Sequence, residues 1–137
     1  MPKVQQCIFF LLAKANQKGG RFWSSRIERF NVTAVQGLVL AFLHEEDQVT
    51  AANLGKRAQL DSATLTGIID RLETAQLVER RDNPDDRRAI LICLTKQGKA
   101  AARELVSEAV AANETFLERF SEEEKKTLSS LLGKLMD

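Results

Sequence analysis

Residues 60–95 read LDSATLTGIIDRLETAQLVERRDNPDDRRAILICLT, and their order decides the fold. Asp61 is a helix-capping residue placed ahead of Leu65, Ile68, Ile69 and Leu72, which recur at the i, i+3, i+4, i+7 spacing of one buried helix face. The other side presents Ala63, Thr66, Gly67 and Asp70, flanked by Ser62, Thr64 and Arg71. After Gln76 the period shifts from helical to alternating, which predicts strands over 77–81 and 89–94. Between them Asp82-Asn83-Pro84-Asp85-Asp86 is turn chemistry, because Asn and Asp favour turns and Pro fixes φ. A polar helix face beside a hairpin carrying Arg87-Arg88 is the layout that places a helix in a major groove and an arginine in a minor groove.

Working outward, Thr50 caps a short helix over 51–58, and Gln59-Leu60 joins it tightly to the helix begun at Asp61, which makes a helix-turn-helix. Upstream, Thr33 with Gln36 forms a capping box whose helix carries a stripe of Val35, Leu38, Val39 and Phe42 and ends at 44–47. Residues 4–16 predict an apolar helix, Gly19-Gly20 predicts a turn or kink, and 22–30 resumes helical spacing. Downstream, Thr95 caps a long helix from Lys96 to about Phe120, and the Ser121/Glu124 capping box starts a last helix bearing Leu128, Leu131, Leu132 and Leu135.

The whole chain narrows the function class. At 137 residues it suits one domain, and its hydrophobic fraction of 44% is enough for a core. No apolar run approaches the roughly 18 residues needed to span a bilayer, and Cys7 to Ala13 lacks a cleavage site after it, so a cytoplasmic protein without a signal peptide is expected. Cys7 and Cys93 lie far apart without metal spacing, and His44 is the single histidine, so neither a zinc cluster nor another cofactor is expected. There is no nucleophile–base pair and no glycine-rich phosphate loop, which argues against an enzyme. Net charge is +1, and the stretch from Thr50 to Leu94 balances seven cations against seven anions, so DNA binding must come from placed side chains and symmetry.

The stretch LDSATLTGIIDRLETAQLVERR, the following NPDDRRAILICLT and Gly98 resemble the MarR family of bacterial transcription regulators. The DRLE element, the strand LVERR, the tip pair Asp86 and Arg88, and the Leu94-Thr95 start with Gly98 carry the likeness jointly. The resemblance implies a mainly α fold: a winged helix-turn-helix with a two-stranded antiparallel wing and flanking N- and C-terminal dimerisation helices. One MarR-like domain over 1–137 is expected, with dimerisation helices at 1–31 and 96–137 and a DNA-binding lobe at 33–95. It further implies a homodimeric, sequence-specific regulator, a repressor of a pseudo-palindromic operator in double-stranded DNA, released by a small amphipathic or phenolic effector.

Residue by residue, Ser62, Thr64 and Thr66 can bond base edges or phosphates, and Ala63 can touch a thymine methyl; the same residues also serve simply to cap and form a helix. Arg71 is either a phosphate contact or an ion pair to the wing. Arg88 matches the family's minor-groove arginine, with Asp86 orienting it or bracing the wing through an ion pair. Lys56, Arg80 and Arg81 are candidate phosphate contacts or simply exposed strand and helix charges, and Arg87 is a further DNA-binding candidate. Gly67 departs from the basic residue that many relatives carry and weakens the expected helix contact. Phe9, Phe10, Trp23, Phe42 and His44 are candidates for an effector pocket. Cys7 sits where hydroperoxide-sensing relatives carry a reactive thiol, but this chain has no tyrosine to accompany it. A thiol-based repressor, or a winged-helix protein-interaction dimer without DNA binding, are the alternatives.

Overall fold

The computed structural model describes residues 3–137. Its elements are α1 (Ile8–Ile27), α2 (Ala34–Glu45), β1 (Val49–Thr50), α3 (Ala51–Ala58), α4 (Ser62–Thr74), β2 (Val78–Asn83), β3 (Asp86–Leu94), α5 (Lys96–Phe116) and α6 (Glu122–Met136). All the predicted caps close: the Thr33/Gln36 and Ser121/Glu124 capping boxes are reciprocal, and Thr50, Asp61 and Thr95 each accept from the backbone amide three residues on.

The three helices of the central lobe close around one core. Ile27, Leu40, Leu43, Leu54, Leu65, Ile69, Leu72, Ile92 and Leu105 are all essentially inaccessible. Each such side chain contributes roughly 1.5–3 kcal/mol of burial. The predicted α4 stripe is buried in full. Gln59 turns the chain between α3 and α4 in a left-handed conformation (φ 55°), and its amide bonds back to the Gly55 and Lys56 carbonyls. Gly55 lets the two helices approach, since a Cβ there would lie 3.2 Å from the Leu60 carbonyl oxygen.

Four expectations need correction. Gly19-Gly20 does not break the first helix: α1 runs through both, and neither has a positive φ. Phe22 stacks on Phe116 at 5.2 Å, and a Cβ on Gly19 would sit 3.7 Å from that same ring, so tertiary packing against α5 overrides the weak helix preference of glycine. The buried face of α2 is Gly37, Val39, Leu40 and Leu43, whereas Leu38 is exposed and Val35 and Phe42 are half-buried. The wing strands extend into the expected turn and leave only Pro84-Asp85 at the tip, with Asn83 Oδ1 accepting from the Asp85 amide at 2.9 Å. Finally, α5 stops at Phe116 rather than Phe120.

The wing is an antiparallel hairpin pairing Val78 with Leu94 and Arg80 with Ile92. A third short strand, β1, adds to its inner edge through Val49–Ile92 and Thr50–Leu91, giving the order β1-β3-β2. Asp47 supports this edge by accepting from the Leu94 amide at 2.9 Å. At the same base of the wing, Thr95 donates its hydroxyl to the Gln76 carbonyl and its amide to the Leu77 carbonyl, which ties the hairpin to the start of α5.

The two ends of the chain leave apolar surface uncovered. Phe9 is 77% exposed and Leu135 61%, and α6 buries no residue at all. No described helix is long and apolar enough to cross a membrane.

Candidate nucleic-acid interface

Helix α4 is held at its start by Asp61, whose carboxylate accepts from the Thr64 amide and the Thr64 hydroxyl, each at 2.8 Å. Those two bonds, the amide first, hold the Asp61 carboxyl below its ordinary value. With Leu65, Ile68, Ile69 and Leu72 inward, the exposed face carries Ser62, Ala63, Thr66, Gly67, Asp70 and Arg71. The hydroxyls differ from one another. Thr66 donates to the Ser62 carbonyl at 2.8 Å and Thr64 to Asp61, so both protons point back into the protein. Thr64 and Thr66 therefore offer a partner their lone pairs and methyl groups, and Ser62 is the one hydroxyl of the three with no acceptor among the described residues.

The arginines divide in the same way. Arg80 lies on the face of β2 turned to α4 and bridges Asp70 and Glu73, each at 2.7 Å. The Asp70 hydrogen bond above all raises its pKa further. Arg80, expected as a phosphate contact, is here engaged between wing and helix, and the same contact pairs Asp70. Arg81 pairs with Glu79 at the exposed surface, a bond that raises its pKa and engages it locally. Asp86 forms no ion pair with Arg88; its Oδ1 accepts from the Arg88 backbone amide at 3.0 Å, which shapes the tip without using the guanidinium.

Lys56, Arg71, Arg87 and Arg88 are exposed and form no ion pair among the described residues. Arg87 and Arg88 lie next to the tip, in the part of β3 where the register shifts between the Asp82–Ile90 and Asn83–Asp86 pairs. Two clefts flank α4. One, of about 240 Å³, brings Lys56 beside Ser62 and Thr66; the other, of about 430 Å³, sets Thr33 and Gln36 of α2 opposite Ala63, Gly67 and Arg71. The spacing of Thr33 and Gln36 announces only a cap, because nothing in it reveals that α2 begins beside α4.

The expected effector residues are scattered. Phe9 and Phe10 lie on the uncovered end of α1, His44 is exposed at the end of α2, and Phe42 packs under the Arg57 guanidinium at 5.3 Å. Trp23 lines a half-open cavity of about 300 Å³ between α1, α2 and α5, with Phe22, Leu38, Leu105 and Phe116 in its wall and Asn113 the one side-chain amide lining it. The small residues Ala109 and Ala112 on α5, facing Gly19 and Gly37, make room for it. Cys7 is half-buried and is the N-cap residue of α1. Cys93 is buried in β3, and that burial pushes its thiol up and out of reactive range.

A polar, capped helix braced to a hairpin whose tip presents free arginines defines a winged helix-turn-helix protein shaped for duplex DNA. Comparison with known proteins agrees. The MarR family model matches residues 32–90. Staphylococcus aureus regulator MgrA is 31% identical over 137 aligned residues, covering 98% of this chain and 89% of that protein. Bordetella bronchiseptica BpsR, whose DNA binding is regulated by 6-hydroxynicotinic acid, superimposes with a TM-score of 0.91 at 27% identity, covering 100% of this chain and 98% of the other. A cysteine-to-serine mutant of Escherichia coli MarR in complex with operator DNA gives 0.87 at 27% identity, over 99% and 100% of the two chains. The chain belongs to the MarR family and is a transcriptional regulator rather than an enzyme.

Proposed function

We propose that two copies of this chain, joined through α1, α5 and α6, bind a pseudo-palindromic operator as a repressor. Each α4 enters a major groove, the pair separated by about one helical turn of DNA, or roughly 34 Å. Arg88 of each wing enters the neighbouring minor groove, where narrow A·T-rich stretches concentrate negative potential. The observation that carries this reading is the division of the arginines: Arg80 is used to lock wing to helix, while Arg71, Arg87 and Arg88 are left free on the surface so locked. The homodimer is supported by the uncovered apolar ends, Ile8, Phe9 and Leu11 at one and Leu131, Leu135 and Met136 at the other.

The test is binding to duplex selected by the protein from a random pool, measured over a range of salt. Affinity should fall steeply with salt, because each phosphate neutralised releases counterions. Arg88→Ala should weaken binding roughly tenfold or more while the dimer stays intact in sedimentation. Unchanged affinity in that variant would overturn the wing assignment, and a flat salt response would return the chain to a protein-interaction dimer.

The cavity beside Trp23 is the effector site in this reading, suited to a small aromatic acid with its ring on Phe22 and Trp23 and a polar group on Asn113. Trp23 is the only tryptophan, so its fluorescence reports occupancy directly. Titration with 6-hydroxynicotinic acid and a panel of phenolic acids should quench it saturably for at least one compound, and Ala109→Leu, which fills the cavity, should abolish that response. Quenching that survives Ala109→Leu would place the ligand elsewhere.

A further inference from the structure

Gly67 is an exposed glycine in the middle of a thirteen-residue helix, and the chain itself gives no reason for it. Its φ is not positive, so alanine would fit the backbone, and an added Cβ would meet no heavy atom within 4 Å. A glycine there lowers helix stability relative to alanine and gains nothing from packing inside the molecule. A Cβ at Gly55 or Gly98 would press on a backbone carbonyl, whereas Gly20 and Gly133 are as open as Gly67, which differs from them in lying on the exposed face of α4.

The surroundings show where a gain can come from. Gly67 opens onto the cleft between α2 and α4, with Ala63 one turn before it and the unpaired Arg71 one turn after. Thr33 and Gln36 form the opposite wall, and the capping box that joins them holds that wall rigid. Residues 63, 67 and 71 form a single i, i+4 row, so a groove-bound strand following that row would meet a methyl, a bare stretch of backbone and then a guanidinium.

We infer that Gly67 is a seating residue for operator DNA: the missing side chain lets the sugar-phosphate backbone settle against α4, with Arg71 holding the phosphate. This rests on the DNA-binding reading above and adds to it a residue whose contribution is absence. The position would otherwise be taken as a vacancy that a basic residue ought to fill, and the two views make opposite predictions.

The experiment uses the full-length dimer and the duplex selected by the unmodified protein. Gly67→Ala should raise the thermal midpoint by about 2–5 °C, from the helix-propensity difference, and weaken binding by roughly fivefold or more with an unchanged salt slope, because a steric contact releases no counterions. Gly67→Lys should also bind that duplex more weakly, despite its added charge. Arg71→Ala should weaken binding and reduce the salt slope by about one. A Gly67→Ala protein that is more stable and binds as tightly as the parent would overturn the inference, as would a gain of affinity in Gly67→Lys. Failure of the parent protein to select any sequence would instead refute DNA binding itself.

Discussion

Replacing Gly98 with alanine adds one methyl at the most closely approached glycine of the chain. A Cβ built there lies 1.8 Å from the Leu77 carbonyl oxygen and 2.8 Å from the carbon that bears it. Both atoms are backbone, so no side chain can rotate away; α5 and the wing must part by more than an ångström to reach ordinary contact. That movement falls on the bonds that join them, the Thr95 amide to the Leu77 carbonyl at 3.1 Å and the Thr95 hydroxyl to the Gln76 carbonyl at 2.7 Å. Overpacking of this kind costs about 1–3 kcal/mol, and each hydrogen bond lost about another 1 kcal/mol. The better helix propensity of alanine returns at most about 1 kcal/mol. The net expectation is a loss of roughly 2–4 kcal/mol. Urea unfolding at a single fixed protein concentration measures it, since dimer stability depends on concentration. A Gly98→Ala protein as stable as the parent would show that wing and α5 are not in the close contact from which the figure is built.

Three further outcomes follow from the same geometry. Arg80→Ala should cost only about 1 kcal/mol of stability, since its carboxylate partners are largely exposed, and in the proposed reading, where Arg80 holds the wing to α4, it should weaken operator binding without changing the salt slope; a reduced slope would make Arg80 a phosphate contact. The Asp61 carboxyl is held below its unfolded value, so its stabilising effect on the start of α4 is present above the usual carboxylate range and is lost as pH falls through the lowered value; hydrogen exchange at the Thr64 amide should show that acid step in the parent, and Asp61→Asn should lack it. Leu135→Glu combined with Phe9→Glu should give monomers in sedimentation and abolish tight operator binding, and a surviving dimer would remove the terminal helices from the interface.

How much of this was legible in the sequence depended on distance along the chain. Five of the six helix starts were readable, because Thr33, Thr50, Asp61, Thr95 and Ser121 each bond an amide three residues away and the cap is complete within one turn; α1 begins at Ile8, after the expected residue 4, and Cys7 before it gives no side-chain cap to announce it. The α4 stripe was readable because that helix buries one face only. Helix α2 is covered by α5 on one side and by α3 and β3 on another, so apolar residues surround it and the phase of its stripe is ambiguous. Strand β1 spans two residues and exists only because Ile92 and Leu91 lie beside it, so no local alternation could announce it. The site divided along the same line. That a polar face of α4 lies beside a hairpin bearing adjacent arginines could be read from type and spacing. Which arginines are free could not, since identical side chains at 80 and 88 differ only in whether carboxylates of α4 lie within reach.

Helix α2 is where the two halves of the proposed function meet. Gly37, Leu38 and Ala41 on one side form a wall of the cavity, while Thr33 and Gln36, at its N-terminal end, form a wall of the cleft at Gly67 and Arg71. Twelve residues with a reciprocal capping box make a stiff rod, so a ligand pressing on Leu38 moves Gln36 with it rather than bending the helix between them. A ligand can shift the DNA-binding equilibrium only by the difference in its affinity for two positions of that rod. A hundredfold loss of operator affinity requires a difference of about 2.7 kcal/mol. Burying roughly 110 Å² more apolar surface in one position than in the other supplies that amount, and a ring lodged between Trp23, Leu38 and Phe116 presents area of this order. The coupling therefore needs no chain of contacts through the core; one rigid helix that belongs to both sites is sufficient.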